Sequence, residues 1–265
     1  MKKFCIIGAG ITGVSLANEL SDHVILEKSR GIGGRLAARR LTDISINHGT
    51  DSFFHPKLRT IISDPHSWIK EIATKTNIRT NWEVKFWRKE NSHFEIFDTK
   101  NNSLVAQNII LTTPAPQTQI LLKQSGLNAD FLNDAEYKPE IQFMVLVKTP
   151  YDATKLDKFL SLKQRKIHGS EELLFYHLKN EFMGDFINRD KDEIKLYFKD
   201  MVDGNVLDCH AHKWRYSEVT KTIPSSSQII YANQNIYFAG DYFEKTGIPG
   251  SLSSVDYLLP LLTRT

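Results

Sequence analysis

The sequence predicts an α/β fold in two parts, a glycine-loop domain that alternates strands with helices and a smaller α+β domain. Three observations predict this fold. The strand-like run Phe4-Cys5-Ile6-Ile7 opens into a glycine-rich turn and then a helical stretch. A second glycine cluster follows the next apolar run, at 24–26. A long segment without glycine motifs, from residue 117 to about residue 210, then offers strands and a helix of its own.

The first glycine cluster has the spacing of a Rossmann-type dinucleotide turn. Gly8, Gly10 and Gly13 give GxGxxG before a predicted helix, Ile11 to Leu20. The first glycine makes the tight turn, the second lets the backbone approach a pyrophosphate, and the third packs helix on strand. The diphosphate then lies at a helix N-terminus, which favours negative charge. The motif alone also fits a glycine-rich turn without a ligand.

Glu27 indicates which dinucleotides fit. It ends the apolar run Val24-Ile25-Leu26, where its carboxylate can accept hydrogen bonds from the hydroxyls of an adenosine ribose. A carboxylate repels a 2′-phosphate, which favours NAD or FAD over NADP. Lys28 and Arg30 nearby weaken that argument.

The second glycine cluster helps to decide between a flavin dinucleotide and a nicotinamide dinucleotide as the cofactor. It reads R-G-I-G-G-R at 30–35 and contains Gly33, Gly34 and Arg35. A larger dinucleotide can use another close backbone approach and a cation on its diphosphate. The cluster therefore favours FAD.

The remaining elements follow from periodicity and turn residues. The larger domain is predicted to contain a strand at 44–46, a helix around 68–73, an alternating pair at 80–88 and 93–98, and a buried strand at 104–111. The second domain is predicted to contain strands at 141–147 and 173–178. Its helix places Ile194, Tyr197, Phe198 and Met201 on one face. Most aromatic residues of this domain are expected in its core.

Four sequence blocks resemble, in order, those of a known family. They read E-K-S-R-G-I-G-G-R at 27–35, N-H-G-T-D at 47–51, H-K-W-R-Y at 212–216 and Y-F-A-G-D at 237–241. Together with the N-terminal G-A-G-I-T-G, they are similar to the flavin-containing amine oxidase superfamily and, within it, to the renalase-like FAD/NAD(P)-dependent oxidoreductases of bacteria. The resemblance implies a Rossmann-like FAD/NAD(P)-binding domain of the GR2 type, with FAD as the cofactor.

The resemblance also implies roles for individual residues. Thr12 and Gly13 would face the diphosphate, Arg35 would contact diphosphate or ribityl oxygens, and Val84 would offer its backbone to the adenine. Asp241 would hold the ribityl chain or diphosphate. The full set expected to bind the cofactor is Gly8, Gly10, Ile11, Thr12, Gly13, Glu27, Lys28, Gly33, Gly34, Arg35, Leu36, His48, Gly49, Thr50, Asp51, Val84, Thr113, Pro114, Gly240, Asp241, Gly250, Ser251 and Leu252.

Three features depart from the family pattern. Asp51 stands where the family usually has Gln, which puts a negative charge near the flavin. The last helix reads P-G-S at 249–251 instead of beginning with Ser-Gly, and Gly250 is expected to start it close to the isoalloxazine. The chain is also short for the family, with 265 residues.

The domain boundaries follow from the same blocks. The FAD-binding domain is expected at 1–52, 76–118 and 211–265, and the substrate domain at 53–75 and 119–210. Trp214 and Tyr216 are expected where the two domains meet, and with His48 and Asp51 they are the candidates for facing the substrate.

The activity implied by the resemblance is oxidation of a reduced dihydronicotinamide or an amine, with oxygen as the final electron acceptor. Two alternatives remain. A nicotinamide-only dehydrogenase needs only the first glycine motif and Glu27. A protein that binds FAD or NAD with little or no turnover would fit a shortened substrate domain.

Composition adds exclusions. The net charge is only +3 and the basic residues are scattered, so no basic stripe for binding nucleic acid is expected. No apolar run is long enough for a membrane span. Two cysteines, Cys5 and Cys209, favour the cytoplasm over secretion. A metal site at Cys209, His210 and His212 is not expected, because an extended segment points Cys209 away from the two histidines.

Overall fold

A computed structural model describes residues 1–263, which divide into two compact units. Unit 1 comprises Met1–Ala37, Gly49–Glu136 and the chain from Val219 onward. Unit 2 comprises Ala38–His48 and Tyr137–Glu218. Among the described residues, no helix is both long and apolar enough to cross a membrane.

The elements alternate along the chain. The strands are β1 (Lys2–Ile7), β2 (His23–Leu26), β3 (Ala38–Leu41), β4 (Ile44–Asn47), β5 (Phe53–His55), β6 (Thr60–Ile62), β7 (Ile78–Arg79), β8 (Val84–Glu90), β9 (His93–Asp98), β10 (Ser103–Leu111), β11 (Glu136–Asp152), β12 (Leu160–His168), β13 (Glu171–Leu178), β14 (Asp203–Lys221) and β15 (Ile236–Phe238). The helices are α1 (Ile11–Glu19), α2 (Pro65–Ala73), α3 (Ala115–Gln124), α4 (Met183–Phe186), α5 (Lys191–Lys199) and α6 (Gly247–Thr263).

The main sheet of unit 1 has a parallel centre and an antiparallel edge. Its order is β7-β2-β1-β10-β9-β8, and β15 also pairs with β10. Strands β2, β1, β10 and β15 run parallel to one another. At the edge, β9 runs antiparallel to β10, and β8 runs antiparallel to β9. The carboxyl ends of parallel strands meet at one edge of a sheet. The loops after β1, β2, β10 and β15 therefore lie together, and each of them carries predicted site residues.

Helices cover the parallel strands and bury an apolar core. Phe4 and Ile6 of β1 pack with Val14 and Leu16 of α1, and all four side chains are buried. Helix α6 lies against α1 and adds Leu258 to the same cluster. The run at 4–7 is apolar throughout because a central parallel strand is buried on both faces.

Unit 2 is built on an antiparallel sheet of order β12-β13-β11-β14. Side chains alternate across β11, so Phe143 and Val145 pack with Phe198 of α5, whereas Met144 and Leu146 lie on the opposite face. The β3–β4 hairpin covers that opposite face with Leu41, Ile44 and Ile46.

Two segments lie in units other than the expected domains. Residues 38–48 belong to unit 2, because the hairpin's apolar side chains are buried against β11 and β13. Residues 53–75 belong to unit 1, where Phe53 and Ile69 join the core beside α1. The interior of the sequence block N-H-G-T-D is thus the point at which the chain passes from one unit to the other.

Most predicted elements are present, with shifted ends. The strand expected at 80–88 begins only at Val84, because Asn81 adopts a positive φ of 55° that interrupts an extended chain. The last helix begins at Gly247, so Gly250 lies within its first turn instead of starting it. Helix α5 ends at Lys199, before Met201.

Candidate dinucleotide site

The first glycine loop joins β1 to α1 at the carboxyl edge of the sheet. Gly8 has a φ of 113°, and a Cβ on Gly13 would lie 2.0 Å from the carbonyl oxygen of Gly8. Both positions therefore require glycine for the turn and for close packing of helix on strand. At Gly10, by contrast, an added Cβ would meet no atom of the described residues within 4 Å. Gly10 is the position at which the loop's backbone is open to a ligand.

The N-terminus of α1 is arranged for an anion. Gly10 occupies the N-cap without a side-chain hydrogen bond, and the first turn holds no acidic residue. The first backbone N–H groups of a helix lack partners within the helix, and the helix dipole favours negative charge there. Ile11 and Thr12 in this turn are buried.

The second glycine loop lies directly on the first. The Gly33 amide donates a 2.8 Å hydrogen bond to the carbonyl of Ala9, and Gly10 and Gly33 form a parallel β-bridge. A Cβ on Gly34 would come within 3.5 Å of the Gly10 Cα. Gly33, Gly34, Arg35 and Leu36 thus border the same space as the first loop, and Leu36 anchors them by its burial.

Arg35 and Asp241 form a bidentate ion pair. The guanidinium Nη1 and Nη2 donate to the two carboxylate oxygens of Asp241 at 2.6 and 2.8 Å. The Asp241 side chain is 2 % exposed, whereas that of Arg35 is 32 % exposed. The residues that the resemblance assigns to diphosphate and ribityl oxygens are therefore joined to each other.

The segment 49–51 supports Arg35 from the backbone. The Thr50 amide donates to the Arg35 carbonyl at 3.0 Å, and a Cβ on Gly49 would lie 1.9 Å from that same oxygen. Only glycine permits this approach. Asp51, the departure from the family pattern, is exposed.

Glu27 is held at the end of β2 by backbone donors. Its Oε2 accepts from the Ala9 amide at 2.9 Å and its Oε1 from the Ser29 amide at 2.8 Å. Each carboxylate oxygen retains a second acceptor position for a ribose hydroxyl. The Trp82 amide donates to the Glu27 carbonyl, which brings the segment leading to buried Val84 alongside. Lys28 is exposed.

Three polar side chains outside the expected set, partly buried Thr112 and buried Gln228 and Ser254, fix the surrounding loops. Thr112, at the end of β10, donates to the carbonyls of Ile7 or Gly8 at 3.0 Å and so holds the first glycine loop. The Gly240 amide donates to Ser254 Oγ, and the buried amide of Gln228 donates to Ser254 as well. A hydroxyl at a strand end is the one sequence signal that could have identified Thr112.

The other predicted contacts lie at the start of two helices. Thr113 hydrogen-bonds Thr118 through their hydroxyls at 2.8 Å, and Pro114 is the N-cap of α3. Gly250, Ser251 and Leu252, in the first turns of α6, are all buried. A Cβ on Gly250 would lie 1.8 Å from the Lys245 carbonyl oxygen, so this helix start also needs glycine.

In unit 2, His48 and Trp214 come together with His212. The His48 and Trp214 rings stack with centroids 5.5 Å apart, and His212 lies 4.3 Å from Trp214 and 4.8 Å from His48. His48 is 5 % exposed. Tyr216 packs against Tyr137 instead. Two of the four substrate-facing candidates therefore form one aromatic cluster, which we call the His/Trp cluster (His48, His212, Trp214).

A polar chain beneath the cluster orients Trp214. Gln142, 1 % exposed, donates from Nε2 to Glu140 Oε1 at 2.6 Å and accepts from Trp214 Nε1 at 3.1 Å. An ionised carboxylate only accepts hydrogen bonds, so Glu140 fixes which end of the Gln142 amide faces Trp214. Burial raises the pKa of Glu140, but hydrogen bonds from His177, Gln142 and Ser217 outweigh it and hold the pKa below its ordinary value.

Replacing Gln142, which is 1 % exposed, with leucine is expected to lower the free energy of unfolding by about 2 kcal/mol, because the half-buried Trp214 loses the acceptor of its indole N–H and Glu140 loses a donor. Urea unfolding followed by tryptophan fluorescence measures this loss. Gln164→Leu on β12 is the matched control, since no side-chain hydrogen bond of Gln164 is seen among the described residues. Equal losses in both variants would argue against the orienting role.

Acidification is expected to destabilise the protein through His210 and His212. Burial, followed by neighbouring charges, lowers the pKa of each from 6.5 to about 4. The unfolded chain therefore binds more protons than the folded chain between pH 6.5 and about 4, and stability falls as the pH falls through that window. After allowance for partial exposure, the loss is roughly 3 kcal/mol in total.

Urea unfolding across this pH window measures the loss. The double variant His210→Gln/His212→Gln supplies the control, because all other titrating groups remain. Its stability should vary less with pH than that of the unchanged protein, and parallel curves would show that these imidazoles do not stay neutral in the fold.

Comparison with known proteins agrees with the geometry of the glycine loop. Residues 6–64 match a family model described as an NAD(P)-binding Rossmann-like domain. The N-terminal region is Rossmann-like. The predicted α/β fold class is thereby confirmed, and the match extends from β1 past the second glycine loop. No curated protein sequence matches the chain.

Solved structures share the whole fold. A provisionally named protoporphyrinogen oxidase from Exiguobacterium sp. 255-15 has a TM-score of 0.66 at 10 % identity, covering 100 % of this chain and 99 % of its own. The CLA-producing fatty acid isomerase from P. acnes has 0.68 at 9 %, covering 98 % of both chains. Cyclohexylamine oxidase from Brevibacterium oxydans IH-35A has 0.63 at 10 %, covering 99 % of both. At these identities the likeness establishes the fold.

Proposed function

We propose that this protein is an FAD-dependent oxidoreductase of the renalase-like type, which takes a hydride from a reduced dihydronicotinamide or an amine and passes the electrons to oxygen. The observation that carries the proposal is the second glycine loop seated on the first, with Gly33 bridged to Gly10. A nicotinamide-binding turn needs only the first loop. The second loop would offer a larger dinucleotide another close backbone approach, with Arg35 as a cation for its diphosphate.

The residues present fit a dinucleotide. Open backbone at Gly10 and the uncapped start of α1 suit a diphosphate, and the partly exposed guanidinium of Arg35 supplies a positive charge. Glu27, with acceptor positions to spare, suits a ribose. These three features are placed by loops at one edge of the sheet of unit 1.

The protein's own contribution is to bind and orient. FAD, when bound, supplies the electron acceptor. The α1 N-terminus and Arg35 would hold the diphosphate, and Glu27 the ribose. Asp241 keeps the guanidinium of Arg35 in place through two hydrogen bonds. Gly250 lets the start of α6 pack closely, and the positive end of that helix dipole favours negative charge nearby.

The His/Trp cluster is proposed to bind the donor. The stacked His48 and Trp214 rings offer aromatic faces that attract a planar ring. Burial lowers the pKa of the neighbouring His212 to about 4, so this imidazole adds a hydrogen-bonding edge without a charge at neutral pH. Among the structural neighbours, two are named as oxidases, and one of them is named for an amine. That agrees with a redox reaction and with an amine as one of the two donor classes.

The visible absorption spectrum of the purified protein tests the function. Flavin bands that bleach when a dihydronicotinamide or an amine is added without oxygen, and return with oxygen, would support both cofactor and reaction. Bands that persist with every donor would indicate binding without turnover. A colourless protein that takes up no added FAD would overturn the proposal and leave the first glycine loop to NAD or to no ligand.

A further inference from the structure

Unit 2 contains a cleft that the proposed function does not use. It has a volume of about 380 Å³ and lies where the ends of β11, β12, β13 and β14 meet, lined in part by Lys138, Glu140, Ser161, Lys163 and His177. Small-molecule sites typically occupy about 300–1,000 Å³. The cleft is therefore large enough for a small ligand.

The carboxylate at the floor of this cleft is satisfied by the protein itself. Glu140 Oε1 accepts from His177 Nδ1 at 2.9 Å and from Gln142 Nε2, and Glu140 Oε2 accepts from Ser217 Oγ at 3.1 Å. With three donors already on it, Glu140 anchors the floor and is poorly placed to recognise a cationic ligand.

The hydrogen-bonding capacity left over consists mainly of donors. The Nε2 of His177 lacks a hydrogen-bond partner among the described residues, but it is buried within the wall of the cleft. Within the described part of the chain, no carboxylate lies in ion-pair distance of Lys138 or Lys163. The hydroxyl of Ser161 lies on the same wall. Lys179 adds a further positive charge, although its ammonium donates to the Asp157 carbonyl.

The charges of the lining residues also favour an anionic ligand. Lys138, Lys163 and Lys179 outnumber the lining carboxylates, Glu140 and Glu218. Glu218 is exposed at the rim, where water screens it. Ammonium groups and a hydroxyl match a ligand that is rich in acceptors and negatively charged.

We propose that this cleft binds the phosphate group of a small soluble molecule, with Lys138 and Lys163 as its recognition groups and the Ser161 hydroxyl beside them. The site is separate from the dinucleotide loops, since all of its lining residues belong to unit 2. It does not depend on FAD being the cofactor.

Isothermal titration calorimetry with inorganic pyrophosphate tests the proposal. Lys138→Gln/Lys163→Gln is expected to weaken binding at least about tenfold, which equals about 1.4 kcal/mol. The control Lys148→Gln/Lys199→Gln removes the same charge from exposed positions of unit 2 outside the cleft, and should leave the affinity within about twofold. Spermidine, a polycation, should not bind at this site.

Three results would overturn the proposal: no saturable binding of pyrophosphate up to about 1 mM, equal weakening in the cleft and control pairs, or unchanged binding in the cleft pair. The last would place pyrophosphate elsewhere, such as at the start of α1.

Discussion

Arg35→Met is expected to lower the free energy of unfolding by about 3 kcal/mol, whereas Asp241→Asn should cost only about 1 kcal/mol. The asymmetry follows from burial. Without Arg35, the Asp241 carboxylate, 2 % exposed, loses its countercharge and two donors in a place that water barely reaches. Without the charge on Asp241, the guanidinium of Arg35, 32 % exposed, can still be solvated.

Urea unfolding of both variants measures the difference. Arg30→Met is the matched control, because Arg30 lies in the same glycine loop but is exposed. It should change the free energy of unfolding by less than about 0.5 kcal/mol. Similar losses for Arg35→Met and Asp241→Asn, or no loss for either, would show that the pair contributes little to the fold.

The sequence predicted best what depends on local spacing. Three glycines with fixed separations specify a turn by backbone geometry alone, and the structure places Gly8 and Gly13 under steric limits that only glycine satisfies. The alternating run at 93–98 is a strand with the predicted bounds, because alternation reports directly on a half-buried strand. Both signals are contained within a few residues.

What depends on distant contacts was not predictable. Arg35 and Asp241 are 206 residues apart, and both were expected to contact a cofactor directly, not each other. The apolar run 141–147 marked only the buried middle of β11, which extends from Glu136 to Asp152, because the polar ends of a strand pair equally well through their backbones. Likewise, nothing local in 38–48 reveals that its apolar face is buried against β11 and β13.

The glycine loops allow a test that separates ligand binding from folding. Gly10→Ala is expected to reduce FAD affinity at least about 100-fold, equivalent to about 2.7 kcal/mol. The added Cβ has free space in the protein and would occupy the space through which the diphosphate approaches the backbone. Gly10 has φ −78° and ψ −177°, which alanine adopts without strain. The stability of the FAD-free protein should therefore change by less than about 1 kcal/mol.

Fluorescence titration with FAD and urea unfolding of the FAD-free protein provide the two measurements, and neighbouring glycines provide the controls. Gly31→Ala, whose Cβ would also meet no atom of the described residues within 4 Å, should change neither quantity. Gly13→Ala should lose stability as well as FAD, because its Cβ would lie 2.0 Å from the Gly8 carbonyl oxygen. FAD retention by Gly10→Ala at the original affinity would show that the dinucleotide does not approach this backbone, and the second loop would then need another explanation.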